Sequence, residues 1–308
     1  MSKIDKDFVE LNKEIIHTGH ETENKRRGVI RKQTPIYHFA HDFNDGFPAL
    51  SIKELDFKNV VGELLWILRG DPKIDFMVEN GINIWNKDQW KWRVKHGCKL
   101  GLNSFVKALK EGEECGHTGK SYPYQWRSFC GHFDQIQYVI DMMKKDINGS
   151  RIKLSAWNGA ELDECALPPC HDGFQIVAVE GGFEMHADQR STDVFLGLPY
   201  NKASYPLLQI ILGIITGVKP VKFRGTYHCV HLYENAIPKA EEMILRDTDS
   251  PKCELEISQK AIGVLKAIGD GVVTFDVGIR NLEIDDFKLI GYEHKGKLSC
   301  EMLAPLSV

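Results

Sequence analysis

The stretch Leu167 to Tyr205, LPPCHDGFQIVAVEGGFEMHADQRSTDVFLGLPYNKASY, constrains this chain more than any other. Pro168 and Pro169 limit the backbone to extended conformations immediately before Cys170, and His171 follows directly. A thiol held in this way is a candidate nucleophile. Beyond it, GFQIVAV and FEMHADQR flank the turn Glu180-Gly181-Gly182 as two strands of a hairpin. Arg190 then falls at a strand end, where its charge can act on both the thiol and an anionic ligand.

The chain has 308 residues, 43% of them hydrophobic and 27% charged, enough to bury a substantial core and without the composition of a disordered chain. No Pro/Gly/Ser-rich linker interrupts it, so residues 1–308 are read as a single domain, with the charged segment Trp90 to Thr118 as an insertion. The net charge of −4 is spread without long runs. That argues against a basic face for nucleic acid, while a small anionic ligand needs only a local arginine cluster. No apolar run approaches the roughly 20 residues of a membrane span. Met1 to Glu21 is charged and amphipathic, without the apolar stretch of a signal peptide. The expected location is the cytoplasm.

The 8 cysteines lack paired spacing, which in the cytoplasm indicates free thiols. Cys165, Cys170 and His171, and separately His228, Cys229 and His231, invite a metal reading. Neither group has CxxC spacing, and on a regular strand His228 points away from Cys229 and His231, so no metal is expected.

Periodicity predicts a first helix through Phe8, Leu11, Ile15 and Ile16 ending near Gly19, and a second over Phe57 to Leu68 closed by Arg69-Gly70. The second is apolar nearly all round and must be buried, so Glu63 within it is either desolvated and suited to proton transfer near neutrality or placed on the one polar edge of the helix. Further helices are predicted over His132 to Ile147, over Asn201 to Gly217 with Pro206 in its first turn or two, and over Ala240 to Arg246. Val221 to Tyr233 alternates as a strand that places Cys229, His231 and Tyr233 on one face. Strands are also expected at RIKLSAW and near Thr274 and Phe287.

PPCH, QRSTDVFLGLPYNKASY and HLYEN, in this order and at these separations, resemble the thymidylate synthase family. The likeness extends to ENKRRG, DGFP, GELLWILRGD, INIW, YQWRSF and SRIKLSAWNGAELD, hence to nearly the whole chain. It implies an α+β fold, a mixed sheet with helices on one face, in a homodimer formed by stacking sheets back to back. It makes Cys170 the nucleophile toward C6 of a pyrimidine nucleotide, with Glu63, Tyr122 and Asn201 completing the catalytic set. Arg26, Arg190, Ser191 and Gln189, with Arg151 supplied across the dimer, would hold the substrate and its 5′-phosphate; His231 and Tyr233 would hold the sugar. The cosubstrate implied is 5,10-methylenetetrahydrofolate, in a pocket of Ile84, Trp85, Asp193, Leu196, Gly197, Tyr200, Lys53 and the terminal Val308.

Asn201 points to dUMP, because an amide can donate to uracil O4 while accepting from N3–H, a pairing that cytosine inverts. The chain also departs from the family pattern. Ser150-Arg151 stands where two arginines are usual, Cys229 where an aspartate precedes HxY, and Asp88 where a second tryptophan lines the folate pocket. Glu54 and Asp56 follow Lys53 in place of a basic segment, and Pro123 follows Tyr122 in place of glycine. These changes favour water over hydride at the last step, hence 5-hydroxymethyl-dUMP as product, with dTMP formation the alternative. A dCMP hydroxymethylase and a non-catalytic nucleotide- or RNA-binding homologue are weaker alternatives.

Overall fold

The computed structural model describes residues 3–25, 28–113 and 116–301. Helix α1 (Lys3–Thr18) leads into strands β1 (His20–Asn24) and β2 (Val29–Asp42). A run of helices follows: α2 (Phe57–Arg69), α3 (Asp75–Glu79), α4 (Asn86–Lys95), α5 (Leu102–Lys110), α6 (Tyr122–Arg127) and α7 (Gln135–Lys145). Strands β3 (Lys153–Ser155), β4 (His171–Val179), β5 (Gly182–Gln189) and β6 (Thr192–Asp193) come next, then α8 (Leu198–Thr216) and β7 (Pro220–Tyr233). The chain continues through α9 (Ile237–Ile244), β8 (Glu254–Ile257), α10 (Gln259–Gly269), α11 (Phe275–Arg280) and β9 (Phe287–Ile290).

The main sheet runs β1-β2-β7-β5-β4-β3 and is mixed: β5 and β6 each pair parallel with β7, and the remaining ladders are antiparallel. Strands β8 and β9 form a separate antiparallel pair. One row of the main sheet, including Phe39, Phe174, Ile176, Phe183, Met185, Phe223 and Tyr227, is buried with the helices. The opposite row carries His38, His186, Asp188 and Arg224 and leaves Ile36 and Val177 exposed at 43% and 37%. This is the expected α+β architecture.

Helix α2 forms where expected. Asp56 caps it by accepting the Asn59 amide, and Gly70 ends it at φ 69°. Its all-round apolar surface is buried: Val60, Val61, Leu64, Leu65, Trp66, Ile67 and Leu68 are all at most 3% exposed. A Cβ at Gly62 would collide with the end of the Ile82 side chain, which would have to shift. Arg127 fastens the short α6 to this helix. Its guanidinium donates to the Leu68 carbonyl, to Asp134 at 2.7–3.0 Å and to Asp276 at 2.7 Å.

Several boundaries differ from expectation. Helix α7 begins at Gln135 because Asp134 accepts the Gln137 amide as its cap, leaving His132 and Phe133 in a turn. Helix α8 begins three residues before Asn201, with Pro199 in its first turn, so Pro206 lies in the interior instead of near the start. There it can offer no N–H to the Lys202 carbonyl. Helix α9 starts at Ile237, with Pro238 in its first turn, and ends before Arg246. Thr274 is the cap of α11, its hydroxyl accepting the Val277 amide, and not a strand residue. Strand β7 does not alternate to its end: Cys229 has φ 44°, so His228 and Cys229 are both exposed while Val230 to Tyr233 are all buried. Cys229 therefore does not share the buried environment of His231 and Tyr233.

Candidate active site

The expected hairpin is present, and its two strands bring Cys170 and Arg190 side by side. The Arg190 amide donates to the Cys170 carbonyl at 2.9 Å across the β4–β5 end. The Arg190 guanidinium donates to the carbonyls of Pro169 at 2.7 Å and Pro168 at 3.3 Å and lies over the Trp157 ring at 4.9 Å. The double proline has a second role here, since it supplies two carbonyls that fix the arginine. Just past Cys170 the ladder is irregular between His171 and Gly173. Gly173 takes φ 148° against the Leu154 backbone, where a Cβ would clash.

Tyr122 opens α6, with Pro123 in the first turn. Its hydroxyl accepts the Cys170 amide at 2.6 Å, and its ring stacks on His171 with centroids 4.0 Å apart and planes 6° from parallel. Burial, followed by the neighbouring Cys170 thiol, holds the Tyr122 hydroxyl well above its ordinary pKa. Burial also pushes His171 down to about 3, so its ring is neutral.

Glu63 is half-buried on α2 and accepts the indole N–H of Trp85 at 2.7 Å. Burial raises its pKa, and the Trp85 hydrogen bond opposes part of that rise. Trp85 is itself held between Trp66, at 5.0 Å, and the edge of Tyr122, at 6.0 Å. Ile84 beside it is 37% exposed.

Gln189 orients Asn201. Its amide nitrogen donates to the Ser191 carbonyl at 3.0 Å, which makes its oxygen the acceptor for Asn201 Nδ2 at 2.7 Å. Asn201 keeps its own oxygen and a second N–H for a ligand. His231 Nδ1 lies 2.6 Å from the Cys229 carbonyl, which can only accept, so the proton is on Nδ1. The Tyr233 ring stands edge-on to His231 at 4.8 Å.

Asp193 on β6 pairs with His231, and one of its carboxylate oxygens accepts the amides of Phe195 and Leu196, both at 3.0 Å. Its other oxygen has no partner among the described residues and is available to a ligand N–H. Gly197, whose amide bonds the Asp193 carbonyl at 3.1 Å, leads into α8.

Lys53 is only 5% exposed. It donates to the Phe195 carbonyl, lies over the Phe195 ring at 4.2 Å, and is lowered to about 8 by burial, against the pull of Asp193. Tyr200 contacts Asn59 and Asp56 at the start of α2. Arg151 is exposed, and its guanidinium forms no hydrogen bond within the described residues. Arg26 and Val308 lie outside the described residues.

A sequence model of the thymidylate synthase family matches residues 6–304. The chain belongs to the thymidylate synthase family. Membership brings folate-dependent one-carbon transfer to C5 of dUMP, with methylenetetrahydrofolate as cosubstrate. No helix among the described residues is long and apolar enough to cross a membrane. Two members of this site were missed in the sequence, Tyr205 and Trp126. Both lie against His171: Tyr205 bonds Nδ1 at 2.8 Å, and Trp126 stands edge-on at 6.4 Å. The available signal was spacing, since Tyr205 lies one helical turn beyond Asn201.

Proposed function

We propose that this family member is a dUMP hydroxymethylase: it builds an exocyclic methylene on C5 of dUMP and completes it with water. Cys170 adds its sulfur to C6, which makes C5 nucleophilic toward the one-carbon unit of methylenetetrahydrofolate. Tyr122, beside Cys170, is placed to take the C5 proton directly or through water. Asn201, held by Gln189, reads uracil O4 and N3–H. Arg190 and Ser191, with Arg26 and the partner subunit's Arg151, hold the phosphate, and His231 and Tyr233 hold the sugar. Trp85, Ile84, Asp193, Leu196, Gly197, Tyr200, Lys53 and Val308 form the folate side. Glu63 in its ionised form accepts the proton of the water that adds to the methylene, the enolate so formed expels the Cys170 thiolate from C6 and restores the C5=C6 bond, and tetrahydrofolate leaves without being oxidised.

The observation that carries this reading is Asp88, a half-buried carboxylate three residues after Trp85 in the first turn of α4. Residues so spaced are neighbours on a helix, so a carboxylate stands about one turn from the indole that anchors Glu63. The alternative, a synthase that forms dTMP and dihydrofolate by hydride transfer, is favoured by the intact Trp85–Glu63 pair. Incubation with dUMP and methylenetetrahydrofolate separates the two. Hydroxymethylation gives a nucleotide one oxygen heavier than dTMP without the near-ultraviolet rise of dihydrofolate. Stoichiometric dihydrofolate with dTMP replaces this reading by the alternative.

A homodimer belongs to the proposal. The outward row of the sheet, with Ile36 and Val177 exposed, and the unengaged Arg151 support it. A fully active species sedimenting at 35.0 kDa would refute it.

A further inference from the structure

Tyr205 is a buried tyrosine to which the proposed reaction assigns no role. Phe223 is stacked on its ring at 6.2 Å and 14°, Phe174 stands edge-on at 6.2 Å, and Trp126 lies at 6.3 Å. The Tyr205 hydroxyl projects from this aromatic packing. Its hydrogen-bond partner among the described residues is His171 Nδ1, at 2.8 Å. Burial holds the Tyr205 hydroxyl protonated, and burial likewise holds His171 neutral.

A neutral imidazole has one nitrogen that donates and one that accepts. If His171 carried its proton on Nδ1, the buried Tyr205 O–H would be left without an acceptor among the described residues, which burial makes unfavourable. Donation from Tyr205 to Nδ1 avoids that loss and places the histidine proton on Nε2. His171 Nε2 has no protein partner among the described residues, so the N–H is kept for the site. The same bond sets the plane of the His171 ring. Tyr122 lies parallel to that plane at 4.0 Å, with its hydroxyl on the Cys170 amide.

The geometry points to Tyr205 as a positioning residue: through His171 it selects the Nε2–H tautomer and orients the Tyr122 hydroxyl for removal of the C5 proton. The chain of contacts runs from Tyr205 Oη–H to His171 Nδ1, across the stacked faces to Tyr122, and on to the backbone of the nucleophile. Helix α8 thus serves the site from two positions one turn apart, with Asn201 reading the base and Tyr205 aligning the proton acceptor. The role of Tyr122 in this statement rests on the proposed function, whereas the tautomer of His171 does not.

The test pairs a spectroscopic with a kinetic reading. In ¹⁵N-histidine-labelled protein, His171 should show a protonated Nε2 and an unprotonated Nδ1 through the neutral pH range. Tyr205→Phe keeps the packing and removes the donor, so the two tautomers should mix. Tritium release from C5-tritiated dUMP, with methylenetetrahydrofolate present, should slow by about 10- to 100-fold in kcat while the KM for dUMP stays within about 2-fold, because alignment and not binding is lost.

A proton on Nδ1 in the unsubstituted protein overturns the inference without need of any variant. It is equally overturned by an unchanged tautomer in Tyr205→Phe, or by a rise in KM at constant kcat. Absence of tritium release from the unsubstituted protein would instead count against the proposed function, and the nitrogen spectrum would still decide the tautomer.

Discussion

Replacing Lys202 by methionine should stabilise this protein, and by an amount that depends on pH. Lys202 follows Asn201 on α8 and is 0% exposed. Its ammonium bonds the Tyr37 hydroxyl at 2.9 Å and faces the rings of Phe39 at 4.0 Å, Tyr37 at 4.8 Å and Phe8 at 5.5 Å. Burial lowers its pKa from 10.5 to about 7, with Asp7 and Asp5 pulling the other way. A displacement of about 3.5 (10.5 − 7), at about 1.4 kcal/mol per pKa step, costs the folded state about 5 kcal/mol wherever the lysine is charged in both states. Attraction of the cation to the facing rings offsets about 1–2 kcal/mol, leaving about 3 kcal/mol.

The sign follows from proton counts. Between the folded value of about 7 and the unfolded 10.5 the unfolded chain holds the extra proton, so stability rises with pH through that window. Below it the whole cost is present. Lys202→Met should therefore be more stable than the natural chain by about 3 kcal/mol near pH 6.5, with the gap narrowing towards pH 10. Half-buried Tyr37 can turn its released hydroxyl to water. Urea unfolding of both proteins at pH 6.5 and 9.5, at one fixed protein concentration, measures the difference. A variant less stable at pH 6.5, or an equal gap at both pH values, refutes the reasoning.

Cys170→Ser should abolish turnover and leave dUMP binding nearly intact, since a hydroxyl at that position is a far weaker nucleophile at neutral pH; calorimetric titration beside a rate assay separates the two effects. Asn201→Asp should move preference from dUMP toward dCMP. The mismatch at the wrong base costs about 1–3 kcal/mol, and competition between the two nucleotides reads it directly. Trp85→Phe removes the donor that favours ionised Glu63, so the acid limb of the pH–rate profile should shift upward. An unmoved limb would mean that Glu63 does not set it.

The sequence by itself determined those features in which a local pattern has one physical outcome. The all-round apolar run from Phe57 could only be a buried helix, while the desolvation of Glu63 inside it was decided by the packing around it. The alternating strands about Glu180-Gly181-Gly182 could only close a hairpin, which carried Arg190 back to Cys170. Motif order along the chain identified the family, which the match over residues 6–304 bears out. Tertiary structure decided what depends on partners distant in sequence. The positive φ at Cys229 breaks an alternation that periodicity would have continued to Tyr233. Asp134 and Thr274 act as helix caps only because the chain turns at those points. The stack of His171 on Tyr122 joins residues 49 positions apart, and the cage about Lys202 gathers rings from α1 and β2 around a residue of α8. A buried amine or a histidine tautomer is set by what folds around it, and periodicity along one strand or helix carries no record of that.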